Sequence, residues 1–161
     1  MPTAPSPAAF DDPVFVVIDT NVVLDLLVFG DAAAMSLAAA LHAGRLRPLA
    51  TPAMLDELAD VLSRPLLTNW PIDPGEVLRK ARAMCREVDP APLLSAPRCA
   101  DPDDQKFVDL AWTWPARWLF SRDRALLALA RRAQAHGLGI LTPAAWATSH
   151  ATAPAPAQRQ A

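Results

Sequence analysis

The chain has 161 residues, the length of one domain, and its 52% hydrophobic content is enough to build a core. Against 17 acidic residues stand 15 basic ones, a net charge of −2, which excludes a protein that coats nucleic acid by bulk charge but leaves room for an enzyme that recruits metal ions to meet phosphate. No apolar run approaches the ~20 residues of a membrane span. The Pro- and Ala-rich start lacks the basic and Leu-rich regions of a signal peptide, and Cys85 and Cys99 have neither a zinc spacing nor a disulfide signature. A reducing, cytoplasmic location away from membranes is the expectation.

In chain order, residues 1–12 should be a loose arm ahead of a single α/β domain over 13–147. Val14-Phe15-Val16-Val17-Ile18 is a continuous apolar run, the mark of a strand buried on both faces, and it leads straight into Asp19. Chemistry in open α/β sheets gathers outside the carboxyl ends of strands. A cap on the helix that follows accounts for Asp19 or Thr20 equally well. That helix starts at Val22 and fades near Gly30. Asp31 caps a second helix over 32–43, stopped by Gly44. Residues 47–50 form a short strand in spite of Pro48. Thr51-Pro52 starts a helix that runs to about Ser63 and ends near Pro65. A connection over 66–74 precedes a helix over 75–88, and the loop 89–98, with Pro90, Pro92 and Pro97, crosses back to the sheet. Asp101-Pro102 starts a helix that reaches Trp114. The pattern then gives a strand over 117–120, a helix over 124–136 stopped by Gly137, a strand over 139–142, and a last helical turn over 143–147. Residues 148–161 should form a disordered tail. Strands separated by helical stretches, with no hairpin signal, indicate a parallel sheet covered by helices on both faces.

Several acidic residues stand out. Asp123 repeats the pattern of Asp19, after a strand and before a helix, where a cap is the simpler account. Asp104 lies on the stripe of Phe107, Val108 and Ala111, three, four and seven residues on. A charge there is costly unless it is paired, hydrogen-bonded or bound to metal. First-turn acids do complement a helix dipole, but Asp101, Asp103 and Asp104 together crowd that turn. Glu57 sits at the border of the stripe formed by Leu55, Leu58 and Leu62, where it is either solvated or able to reach the sheet's edge. A set of Asp and Glu without His or Cys is a hard, oxygen-only donor set that suits Mg²⁺ or Mn²⁺ and suits zinc poorly. Such ions serve phosphodiester cleavage. His42, His136 and His150 pair with no nucleophile, and no Gly-rich phosphate loop is present.

The ordered set Asp19-Thr20-Asn21, Glu57, Asp101-Pro102-Asp103-Asp104 and Ser121-Arg122-Asp123 resembles the PIN domain over about Val14 to Trp146. Asp101-Pro102-Asp103-Asp104-x-Lys106-Phe107 and the Ile-Leu-Thr-Pro-Ala-Ala-Trp ending are similar to its branch of VapC-type toxins from toxin–antitoxin pairs. The resemblance implies a three-layer sandwich around a central parallel sheet of about five strands. It implies an Mg²⁺- or Mn²⁺-dependent ribonuclease that leaves a 5′-phosphate. Asp19, Glu57, Asp104 and Asp123 would be the catalytic metal ligands, with Asp101 as an additional one, and Asn21 and Ser121 would orient them. Ser121 stands where threonine is more usual, and the hydroxyl is kept. An RNA substrate, a small antitoxin protein and a homodimer are the partners it implies. Arg64, Lys106 and Arg122 are candidates for holding the RNA backbone, with Arg124 favoured as an ordinary solvated charge. Two alternatives stay open: a catalytically silent PIN-like module that binds RNA or protein, and an aspartate-based phosphotransfer protein. A haloacid-dehalogenase-type phosphatase would need Asp where Asn21 stands.

Overall fold

The computed structural model describes residues 13–90, 96–114 and 116–150. The expected arm at 1–12 and the tail beyond 150 lie outside the described residues. The five strands β1 (Val14–Ile18), β2 (Leu46–Ala50), β3 (Arg86–Glu87), β4 (Trp118–Phe120) and β5 (Gly139–Leu141) form one sheet in the order β3-β2-β1-β4-β5, with every pairing parallel. β1 is central because its side chains are apolar on both faces. Val17 packs with Leu119, Phe107 and Leu126 on one side, while Val16 and Ile18 pack with Val22, Leu37 and Phe120 on the other. Alternate residues of one strand thus feed two separate cores, which makes the three-layer α/β sandwich.

The chain builds outward from β1 through β2 to β3, then returns to the other side of β1 for β4 and β5. The junction between β1 and β4 is therefore the topological switch point, the place where open parallel sheets leave a crevice at their carboxyl edge. Asp19 follows β1 and Ser121 follows β4, so both arrive at this crevice.

The helices are α1 (Thr20–Leu24), α2 (Met35–His42), α3 (Pro52–Leu62), α4 (Pro65–Thr68), α5 (Pro74–Met84), α6 (Gln105–Thr113), α7 (Arg124–Leu127), α8 (Ala130–Gln134) and α9 (Pro143–His150). α1 widens into a π-helical turn over Asp25–Phe29 and ends on Gly30, whose φ of 57° is the left-handed conformation that favours glycine. Asp31 caps the 3₁₀ turn ahead of α2, and Thr51 accepts the Met54 amide at the start of α3 as expected.

Four expectations need correction. The helix over 75–88 stops at Met84. Cys85 is extended (φ −94°, ψ 150°), and Arg86–Glu87 become β3, whose exposed charged residues carry no apolar signal. Pro65 opens the short helix α4 as well as closing α3, because proline is well suited to the first helical position. The helix over 124–136 is two helices broken by a turn at Ala128 and Leu129. α9 continues to His150, three residues into the expected tail, because Trp146 meets Phe120 edge to face and His150 meets Trp118. Pro48 is tolerated in β2 because β3 pairs only with Leu49 and Ala50, so no ladder on that side asks Pro48 for a donor.

Gly139 pairs with Trp118 in the β4–β5 register, and a Cβ on Gly139 would collide with Cε3 and Cζ3 of that indole. Trp118 is held by His150 at a centroid distance of 4.5 Å and by Arg117 at 5.4 Å. Gly139→Ala should therefore cost about 1–3 kcal/mol of overpacking, read as a melting temperature lower by roughly 4–12 °C. An unchanged melting temperature would mean that the ring gives way freely.

Candidate acidic site at the sheet switch point

Asp19 is delivered by β1 and is only 4% exposed. Its amide donates to the Phe120 carbonyl at 2.9 Å, which closes the end of the β1–β4 pair. It stands at the N-cap position of α1, yet its side chain makes no close capping hydrogen bond there. Its Oδ2 instead accepts from the Ser121 hydroxyl at 2.7 Å, and the Ser121 oxygen in turn accepts the Asp123 amide at 2.9 Å. Ser121 is fully buried. The backbone amide of Asn21, in the first turn of α1, favours the charged form of Asp19, while residue 21 itself is exposed. Asn21 thus supports Asp19 through the main chain. Burial is the main cause that pushes the Asp19 carboxyl above the ordinary carboxylate range, with the charges of Glu57 and Asp123 adding to it. Ser121 and the Asn21 amide pull the other way.

Asp104 also caps nothing. Asp101 performs that task by accepting the Asp103 amide at 3.0 Å. Asp104 is half-buried, and its carboxyl is pushed up to about 6, first by burial and then by the charges of Asp19, Asp123, Asp101 and Glu57. The charges of four carboxylates from four separate elements therefore bear on one another at the carboxyl edge of the sheet. Asp123 does both jobs left open by its sequence. Its Oδ1 accepts the Ala125 and Leu126 amides at 2.8 and 3.2 Å as the cap of α7, and its charge bears on Asp19 and Asp104. Asp101 is exposed at the rim.

Glu57 reaches the site from α3, and both its oxygens are engaged. The Thr20 hydroxyl donates to Oε2, and Lys106 Nζ donates to Oε1 at 3.1 Å. Neither partner was foreseen in that role; Thr20 read only as part of a cap. Gln105 also went unnoticed, yet it steadies the approach to α6. Its Oε1 accepts the Cys99 amide at 2.7 Å, and its Nε2 donates to the Pro97 carbonyl and to Asp109, both at 3.0 Å.

The basic candidates separate clearly. Lys106 is inside the site. Arg122 stands beside it but is held by the buried Asp25 through two bonds of 2.7 and 3.0 Å, and its side chain remains about half exposed. Arg64 forms an exposed i,i+4 pair with Asp60 at 3.0 Å and is not brought to the acids. Arg124 is exposed.

An oxygen-only set with a carboxyl raised by burial and then by its like-charged neighbours fits a hard divalent cation, which would relieve that repulsion. Asp19, Glu57, Asp104 and Asp123 could hold it. Among the described residues no three such side chains stand ready as a preformed cage. Both oxygens of Glu57 are taken up by Thr20 and Lys106.

A parallel sandwich with aspartates from two adjacent strand ends, and further acids from flanking helices, defines an α/β protein with an acidic centre at its switch point. The family model of the PIN domain matches residues 15–125, a span that contains all four acids and Ser121, and the chain belongs to the PIN domain family. PIN domains are generally nucleases and typically use divalent metals. No match is found among curated proteins.

The Asp104 carboxyl titrates at about 6 in the fold and at about 3.9 in an unfolded chain. The metal-free fold therefore holds the extra proton between those values and loses stability as pH rises from about 4 to about 6. Asp104→Asn cannot charge. In EDTA at neutral pH the variant should melt above wild type by about 1–4 °C, and the gap should narrow as pH falls toward about 4. Melting curves across that range test this. A variant that melts below wild type at neutral pH would return Asp104 to the role of a first-turn helix acid.

Proposed function

We propose that this protein is an Mg²⁺- or Mn²⁺-dependent endoribonuclease that hydrolyses RNA phosphodiester bonds, and that it serves as the toxin of a toxin–antitoxin pair. The observation that carries the reading is Asp19. It is a buried carboxylate at the switch point, fixed by a buried serine and within electrostatic reach of three further acids. Membership of the PIN domain family supports the nuclease chemistry. The likeness of the Asp101–Phe107 run to VapC-type toxins supports the toxin role.

Asp19, Glu57, Asp104 and Asp123 would hold the metal, with Asp101 available at the rim. A divalent ion held there would supply Lewis acidity for hydrolysis and would offset phosphate charge. The chain's own part is placement. Ser121 sets the angle of Asp19 and, through the same oxygen, the loop that carries Asp123. The Asn21 amide favours the charged form of Asp19. Lys106 beside Glu57 would be the cation that meets the RNA backbone, whereas Arg122 is held by Asp25 and Arg64 by Asp60. A small antitoxin and a second copy of the chain are the protein partners of this reading. Phe29 and Trp70, exposed and packed edge to face at 4.9 Å, are apolar surface in keeping with such a partner.

A catalytically silent binding module is the competing reading, and the engagement of Glu57 by Thr20 and Lys106 is the observation in its favour. One assay decides. Purified protein should cut single-stranded RNA with Mn²⁺ or Mg²⁺, leave 5′-phosphate ends and stop in EDTA. Ser121→Ala, which frees the Asp19 carboxylate to turn, should lose about 10- to 100-fold in rate. Cleavage undiminished by EDTA, or no cleavage with either ion, would sink the reading.

A further inference from the structure

Among the described residues, Lys106 with Glu57 is the one ion pair that involves any of the four clustered acids. Both side chains are 27% exposed, so the pair is shielded from water more than an ordinary surface pair. The ammonium is anchored as well as paired. Nζ donates to the Asp103 carbonyl at 2.6 Å, on the turn that carries Asp104, and it lies 5.2 Å from the Phe107 ring centroid. An ammonium has three donors and no acceptor, and two are committed here to oxygens at the site. Glu57 has two carboxylate oxygens, and Lys106 takes one while Thr20 takes the other.

We propose that Lys106 is the resident counter-cation of Glu57 and competes with the divalent ion for it, so that this lysine sets the affinity of the acidic centre for metal. The inference rests on the reading of Glu57 as a metal ligand. A cation that binds Glu57 must displace the ammonium from Oε1, and the work of breaking that pair is subtracted from metal affinity. In return, the metal-free crevice keeps one of its four negative charges matched. In its effect on the metal, Lys106 acts through Glu57 and is a positioning residue.

Lys80 and Lys106 are the lysines of the chain, and Lys80 pairs on the surface with Glu76 at 3.7 Å, so it serves as an internal control. Two measurements on the full chain test the proposal. Calorimetric titration with Mn²⁺ should show Lys106→Met binding about three- to fivefold tighter than wild type, the worth of a partly screened ion pair. Lys106→Gln is the second variant should the first fold poorly, and Lys106→Arg, which keeps the charge, should restore the wild-type affinity. Separately, NMR of ¹³Cε-labelled lysine should show the Lys106 signal of metal-free Glu57→Gln displaced from wild type toward the position that Mg²⁺ produces in wild type, with Lys80 unmoved. Equal or weaker Mn²⁺ binding by the Lys106 variants would overturn the proposal, as would a Lys106 signal that Glu57→Gln leaves in place. A wild type that takes up no Mn²⁺, while its Lys106 signal still responds to Glu57→Gln, would overturn the metal reading and this competition with it, and would leave the ion pair itself established.

Discussion

Burying a carboxylate at the end of a sheet strand is expensive unless something meets its charge. Asp19 is such a group, and the fold is arranged to hold it. The β1–β4 pair brings Phe120 and Ser121 alongside it, and a buried hydroxyl donates to it. Because β1 is also the switch strand, the same pairing that builds the centre of the sheet opens the crevice at its carboxyl edge. The position of the acid and the topology of the sheet are thus one constraint, and the contributions of Asp104, Glu57 and Asp123 follow from helices that must end or begin near that edge.

The molecule holds its buried acids in two different ways. Asp25, 4% exposed, is matched within the chain by the bidentate Arg122 guanidinium, a geometry suited to a permanent pair. Asp19 and Asp104 have no such basic partner among the described residues, and their carboxyls rise above the ordinary range. Asp25 is thus neutralised by its own fold, whereas Asp19 and Asp104 are matched by no cation among the described residues. Glu57 stands between the two cases, matched by an ammonium on a flexible stem in place of a rigid fork.

Much of this was legible from residues alone because the signals were local. Val14–Ile18 could only be a strand buried on both faces, and Asp104 was conspicuous because its stripe of Phe107, Val108 and Ala111 left a charge facing the core. The cap at Asp101 was readable from its proline neighbour. What stayed hidden was set by contacts between distant segments. β3 is two charged residues that become a strand only because Ala50 and Leu49 offer a free edge. Thr20 and Lys106 meet at Glu57 across 37 and 49 positions of sequence, and no periodicity reports such a meeting. Asp123 shows a further limit. Cap and site look like alternatives in the sequence, yet one carboxylate has enough lone pairs to cap α7 while its charge still bears on Asp19 and Asp104.

Arg122 shows why neighbourhood in sequence is a weak guide to role. It sits between Ser121 and Asp123 and so invites a task at the substrate, but its guanidinium is turned onto Asp25, at the start of the π-helical turn that follows α1. The carbonyl of that same Asp25 accepts the amides of Gly30 and Asp31, so the pair ties the loop after β4 to the whole turn that closes α1. Asp19 lies between these two anchored segments, bonded to Ser121 on one flank and leading into α1 on the other. A carboxylate at the mouth of a crevice can be held steady only if both strand-end loops beside it are themselves held. The Arg122–Asp25 bond supplies that from a position that touches no acid of the cluster.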